Sequence, residues 1–107
     1  MNSKIRFSLV LAVVASLAPA VCFAQSAGET IYKQRCMNCH GADGMASSGI
    51  GKLMHVKPVT DPSVKKYTRA EMIDLTRNGV ARMQAYKDDL TDQQIKDSVD
   101  YLRSFIK

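Results

Sequence analysis

Cysteine is scarce in this sequence: Cys22, Cys36 and Cys39 are the only three in 107 residues. That excludes a small domain stapled by a framework of disulfides. It also excludes a closed four-cysteine zinc site, because Cys36 and Cys39 form a Cys-x-x-Cys pair with no second pair to complete the four ligands. No internal repeat and no low-complexity tract is present, so neither a solenoid nor a tandem array is in view. Strand signals are missing as well; the periodic stretches are helical. Long apolar runs are absent except at the N-terminus, and that one is short.

The N-terminal run has the layout of an export leader. Lys4 and Arg6 form a positive start, Phe7 to Ala18 is nearly unbroken apolar sequence, and Pro19 interrupts it. Cys22-Phe23-Ala24 then offers small residues at the two positions a signal peptidase reads. The run is too short and wrongly flanked for a stable transmembrane span. An uncleaved membrane anchor is the alternative. A lipoprotein acylated at Cys22 fits less well, because Val21 stands where a small Gly or Ala is wanted. Residues 1–24 are therefore expected to be a cleaved signal peptide, and 25–107 a single mature domain of 83 residues. Cleavage removes the one unpaired cysteine. A domain of that size builds a modest core and ordinarily needs a staple.

The staple is legible in Cys36-Met37-Asn38-Cys39-His40. Two thiols separated by two residues, with histidine directly after the second, form the covalent attachment signature of c-type haem. One helical turn presents both thiols toward two vinyl groups of one porphyrin. The next residue then lies under the iron, where its imidazole coordinates. Cys36 and Cys39 are expected to carry the thioethers of one haem c, with His40 as an axial iron ligand. Export of a chain with this pair fits the periplasm.

The rest of the mature chain reads as helices joined by loops. The first helix is expected from about Gly28 to Cys36, with Tyr32 on the face of the attachment motif. Gly41 to Gly44 and Ser47 to Gly51 read as loop. Pro58 and Pro62 extend that irregular stretch and argue against a helix. Thr68-Arg69-Ala70-Glu71 is a capping box opening a helix that Asn78-Gly79 ends. Thr91-Asp92-Gln93-Gln94 is another, opening a helix with Ile95, Val99, Leu102 and Ile106 at helical spacing. Asp92 in its first turn and Lys107 near its end suit the helix dipole.

Together these features resemble a small bacterial class I c-type cytochrome over nearly the whole mature length. Gly28 lies eight residues before Cys36 and Tyr32 four before it. In that family a glycine and an aromatic at these places let the N-terminal helix cross the C-terminal one closely, and Tyr101-Leu102 match the opposite side of the crossing. Asn78-Gly79-Val80-Ala81-Arg82-Met83 is similar to the loop carrying the second axial ligand, with Tyr86 following. The resemblance implies an all-α fold, three to four helices wrapped around one covalently bound haem. Two departures stand out. Gln84 replaces the proline that usually follows the ligand methionine. The segment Gly49-Ile50-Gly51-Lys52-Leu53 lacks the proline whose carbonyl accepts the Nδ1 proton of the ligand histidine, so another carbonyl nearby is expected to take it.

The mature chain offers Met37, Met45, Met54, Met72, Met83 and His55 as the sixth ligand. Met37 lies inside the attachment turn, and Met72 on an amphipathic helix face where a core methionine is the ordinary reading. Met45 and Met54 lie in the glycine-rich loop region. His55 reads more simply as an exposed loop histidine. Met83, just past a helix stop, is the expected ligand. His/Met ligation leaves no open iron position, which implies an electron carrier and not an enzyme. A haem subunit dedicated to one dehydrogenase or oxidase is the alternative; a sensor, gas-binding protein or peroxidase-like enzyme would need an open sixth position.

Charge is uneven along the mature chain. Residues 52–87 hold eight basic groups (Lys52, Lys57, Lys65, Lys66, Arg69, Arg77, Arg82, Lys87) against Asp61, Glu71 and Asp74, while the other mature residues hold five basic and seven acidic groups. Such a dipolar monomer is expected to meet redox partners through an acidic docking surface of theirs. Nucleic acid is not an expected partner, because the basic residues are scattered and the leader exports the chain.

Overall fold

Two long helices from opposite ends of the chain meet at a glycine. The structure, a computed structural model, describes residues 21–107, with side chains from Ser26 onward. The expected leader lies outside the described residues, apart from the backbone of 21–24. Six helices follow one another: α1 (Val21–Arg35), α2 (Met37–His40), α3 (Gly49–Leu53), α4 (Pro62–Lys65), α5 (Arg69–Asn78) and α6 (Asp92–Arg103). Among the described residues the β pairing is confined to an isolated bridge between Val80 and Met83. The chain is all-α.

The contact between α1 and α6 is the most extensive between any two helices, followed by that of α5 with α6. Gly28 is buried where the backbones approach. A Cβ there would fall on the carbonyl oxygen of Asp97 and 2.7 Å from its carbonyl carbon. One turn further along each helix, Tyr32 meets Tyr101 with ring centroids 5.2 Å apart, and Phe105 at 6.0 Å. Tyr101 and Phe105 stack edge-on at 5.2 Å. The expected partners of Gly28, Tyr101 or Leu102, therefore lie a turn too far. The backbones touch at Asp97, and the bulky rings fill the space beyond. Such tilted aromatic pairs add about 0.5–1.5 kcal/mol each beyond their buried area.

A second core lies between α5 and α6. Met72 and Ile73 pack with Leu90, Ile95 and Val99, with Ile31, Val64, Tyr86 and Ile106 against them. Both capping boxes are formed. Thr68 Oγ1 accepts from the Glu71 amide at 3.2 Å while the Thr68 amide donates to Glu71 Oε2 at 2.7 Å. Thr91 and Gln94 make the same exchange at 3.2 and 2.9 Å. Arg69 grips Asp100 with Nε and Nη2 at 2.5 and 2.8 Å, and Arg77 Nε holds Asp92 at 3.0 Å, so exposed ion pairs brace α5 against α6. Ser98, buried in α6, donates to the Ile95 carbonyl at 2.9 Å and leaves no polar group unpaired there.

Three expectations need correcting. Helix α1 begins at Val21, not Gly28, since no helix breaker stands between them. The stretch Gly49 to Leu53 is helical because Ser48 caps it, accepting from the Gly51 amide at 2.9 Å. Pro62 starts a helix instead of preventing one: it occupies the first turn of α4, where its missing N–H costs nothing, and Asp61 caps that turn through the Ser63 amide at 2.8 Å.

The α1–α6 approach gives a test with an inverted sign. Ala in place of Gly within a helix ordinarily stabilises by about 1 kcal/mol. Gly28→Ala is expected instead to destabilise by about 1–3 kcal/mol, as overpacking does. A denaturant midpoint at or above that of the parent protein would show that the helices do not close on Gly28.

Candidate functional site

The turn of Cys36, Cys39 and His40, the expected attachment turn, hangs from the end of α1. Cys36 follows the last residue of that helix, and its amide donates to the Tyr32 carbonyl at 2.9 Å. The amides of Cys39 and His40 both donate to the Cys36 carbonyl, at 3.2 and 2.9 Å. One tight turn thus gathers Cys36, Cys39 and His40. Tyr32 closes it from the far side, its hydroxyl donating to the Gly41 carbonyl at 2.6 Å. The phenol is 1% exposed, and burial holds its pKa well above the ordinary value, so it stays a donor. Both thiols are half-buried and free. Burial, with Cys39 beside it, pushes the Cys36 thiol up to about 11, so it is protonated at neutral pH. Burial lowers the His40 pKa, which favours a neutral imidazole with a nitrogen lone pair to offer.

The following segment is fastened onto this turn. The Ala46 amide donates to the His40 carbonyl at 2.8 Å, and Ser48 Oγ to the Asn38 carbonyl at 2.7 Å. Gly51 of α3 is buried against the Cys39 carbonyl. The expected bond from His40 to a carbonyl of Gly49 to Leu53 is not among those of the described residues. Four of those carbonyls are engaged otherwise: Ile50, Gly51 and Lys52 accept from the amides of Met54, Val56 and His55, and Leu53 accepts from Arg82.

Met83 sits on a tight turn that doubles back past the end of α5. Val80 and Met83 exchange amide–carbonyl bonds at 3.1 and 2.9 Å around Ala81 and Arg82. Gly79 makes the reversal possible. It takes φ +81°, and a Cβ on it would stand 2.9 Å from both the Met83 oxygen and the Ala85 nitrogen. The Tyr86 amide then returns to the Thr76 carbonyl at 3.1 Å. Tyr86 Oη donates to the Arg35 carbonyl at 3.1 Å, directly before Cys36. Burial, and next the Cys36 and Cys39 thiols, raise the pKa of this phenol. The Met83 loop is thereby brought to the attachment turn.

The other candidate ligands are spread over the fold. Met72 is in the core, with its sulfur 3.4 Å from Arg103 Nη1. Met45 is exposed, its sulfur accepting from Thr60 Oγ1 at 3.6 Å. His55 is an exposed residue at φ +55°, as the simpler reading had it. Met37 and Met54 are half-buried, within the turn and at the end of α3.

These residues fit a haem. Two free thiols and a neutral imidazole share one turn. Ile50 and Leu53 of α3, with Val80 beside the Met83 turn, expose apolar side chains suited to a macrocycle's face, and Leu53 is 71% exposed. A family profile described as cytochrome c oxidase, cbb3-type, subunit III matches residues 23–102. The chain belongs to this family of c-type cytochromes. Among solved structures it is similar to the c-type cytochrome KustC0563, at 28% identity and a TM-score of 0.67, over 75% of this chain and 98% of that one. It is also similar to a tyrosine-to-phenylalanine mutant of that protein, at 26% identity and a TM-score of 0.65, over 73% and 96% of the two chains. A comparison with curated proteins gave no match.

Ser48 was not singled out by the sequence pattern, nor were the bonds made by Arg82 and the Tyr86 hydroxyl. Ser48 precedes a glycine-rich run that masks its cap. The partners of Arg82 and Tyr86 are 29 and 51 residues away, beyond any local signal.

Gly79→Ala is expected to open the Met83 turn, because it combines a left-handed φ with a blocked backbone approach, a strain of about 1–3 kcal/mol. Amide exchange at Met83 and Tyr86 should accelerate about 5-fold or more, with the α1–α6 core little changed. Unchanged exchange at those two amides would contradict this account of the turn.

Proposed function

We propose that the chain is a periplasmic single-electron carrier with one haem c, held by Cys36 and Cys39 and ligated by His40 and Met83. The observation that carries this reading is the turn that brings both thiols and the imidazole together, with the Met83 loop tied to it through Tyr86. The bound haem supplies the one-electron redox chemistry. The chain supplies position and environment. His40 is held neutral by burial, ready to donate a lone pair. The thioether of Met83 is a soft ligand and favours the reduced iron, which raises the potential relative to a second histidine. No general acid or base is needed. The leader read at residues 1–24 supports export, and the mature domain then begins at residue 25.

Docking rests on charge. Arg69 and Arg77 are engaged with Asp100, Asp74 and Asp92, so they add little field outward. Lys52, Lys57, Lys65, Lys66, Arg82 and Lys87 make no ion pair among the described residues. They support steering toward an acidic redox partner. A second reading has an observation of its own: the matching family is described as an oxidase subunit, which favours a haem subunit held by one complex. Haem staining of membrane and soluble periplasmic fractions separates the two. A carrier fractionates alone and soluble, while a subunit stays with a membrane enzyme.

Met83→Ala is expected to abolish the methionine–iron charge-transfer band of the ferric protein and to lower the reduction potential, whereas Met45→Ala, Met54→Ala and Met72→Ala retain the band. Loss of the band in one of those three, with Met83→Ala unaffected, would reassign the ligand.

Electron transfer to an acidic partner should slow with rising ionic strength, as exposed charges are screened beyond about 8 Å at physiological salt. Charge reversal at Lys52, Lys57, Lys65, Lys66 or Lys87 should lower the association rate, and the same change at Lys96 or Lys107 should matter less. A rate indifferent to salt and to these reversals would point to an apolar, permanent interface.

A further inference from the structure

Two side chains next to Met83 reach across the molecule, and both lead back to the haem-attachment turn. Tyr86 Oη donates to the Arg35 carbonyl at 3.1 Å. Arg35 ends α1, so that carbonyl has no acceptor role inside the helix and is free for an outside donor. Arg82 Nη1 donates to the Leu53 carbonyl at 3.1 Å, at the end of α3. Helix α3 is itself pinned to the attachment turn by Ser48 Oγ on the Asn38 carbonyl at 2.7 Å and by Gly51 against Cys39. One tether therefore runs to the residue before Cys36 and the other to the segment after His40. Met83 lies between their two origins.

We propose that Tyr86 and Arg82 are positioning residues that clasp the Met83 loop to both flanks of the attachment turn and so keep the methionine on the iron. The clasp takes the place of the stiffening that a proline at position 84 would give, since Gln84 leaves the backbone there unrestricted and reaches only Asp89, at 3.5 Å. The two tethers are unequal. Tyr86 is half-buried with its ring packed against the Met72–Val99 core, so its hydroxyl bond is shielded from water. Arg82 is exposed, and its bond competes with solvent. The proposal rests on Met83 being the sixth ligand.

The test uses the full holoprotein and imidazole as a probe of the sixth position. Imidazole binds when methionine leaves, so a looser loop raises its apparent affinity. Tyr86→Phe keeps the packed ring and removes only the hydroxyl, which is expected to tighten imidazole binding to the ferric protein about 3- to 10-fold, as loss of one hydrogen bond implies. Arg82→Gln should tighten it by less, about 2-fold. Amide exchange at Met83 should quicken by a similar factor in Tyr86→Phe while exchange in α6 is unchanged, a selectivity that a general loss of stability would not give. Unchanged imidazole affinity and unchanged Met83 exchange in Tyr86→Phe, with the charge-transfer band still lost in Met83→Ala, would overturn the clasp and leave the ligand assignment standing. Retention of the band in Met83→Ala would overturn both.

Discussion

Tyr32 joins the scaffold to the chemistry. Its carbonyl holds the Cys36 amide, its hydroxyl holds the Gly41 carbonyl, and its ring lies against Tyr101 and Phe105. The attachment turn is therefore bracketed at both ends by one residue, and that residue is itself set by the crossing of the first and last helices. The crossing in turn requires the close approach at Gly28. The aromatic cluster of Tyr32, Tyr101 and Phe105 thus stands directly behind the turn that carries Cys36, Cys39 and His40.

Much of this was legible in the sequence, and the reasons differ from element to element. Helices α5 and α6 announce themselves because their caps are local: Thr68 with Glu71, and Thr91 with Gln94, are satisfied within four residues. The attachment motif is legible because covalent chemistry demands its spacing. Helices α3 and α4 were hidden. Glycine and proline usually signal loops, yet Ser48 and Asp61 cap those turns, and Pro62 sits at the one helical position where it belongs. The register of the crossing was also beyond reach. Gly28 was read as a contact point, but which residue of α6 faces it depends on how two backbones slide, and the sequence does not encode that locally.

The site shows the same division. Cys36, Cys39 and His40 were singled out by the motif and share one turn, and Met83 was singled out by its position after a helix stop. What surrounds them does not. The carbonyl expected to receive the His40 proton was sought in a loop, and the segment proved to be a helix with four of its carbonyls already engaged. The bonds from Tyr86 and Arg82 join segments far apart in sequence, and no periodicity predicts such a pairing.

The different loop lengths closed by the α1–α6 and α5–α6 contacts bear on how the protein is assembled. Helices α5 and α6 are separated only by residues 79–91, each carries its own cap, and the Arg69–Asp100 and Arg77–Asp92 ion pairs join them, so their contact closes the smaller loop. The union of Gly28 with Asp97 closes a loop of most of the described residues and carries the larger entropic cost, which favours its forming later. Until that closure the Cys36–His40 turn has no aromatic wall behind it. The Cys36 and Cys39 thiols thus lack, until then, the burial that the folded turn gives them. The final docking of the chain's two ends then closes the turn off from one side.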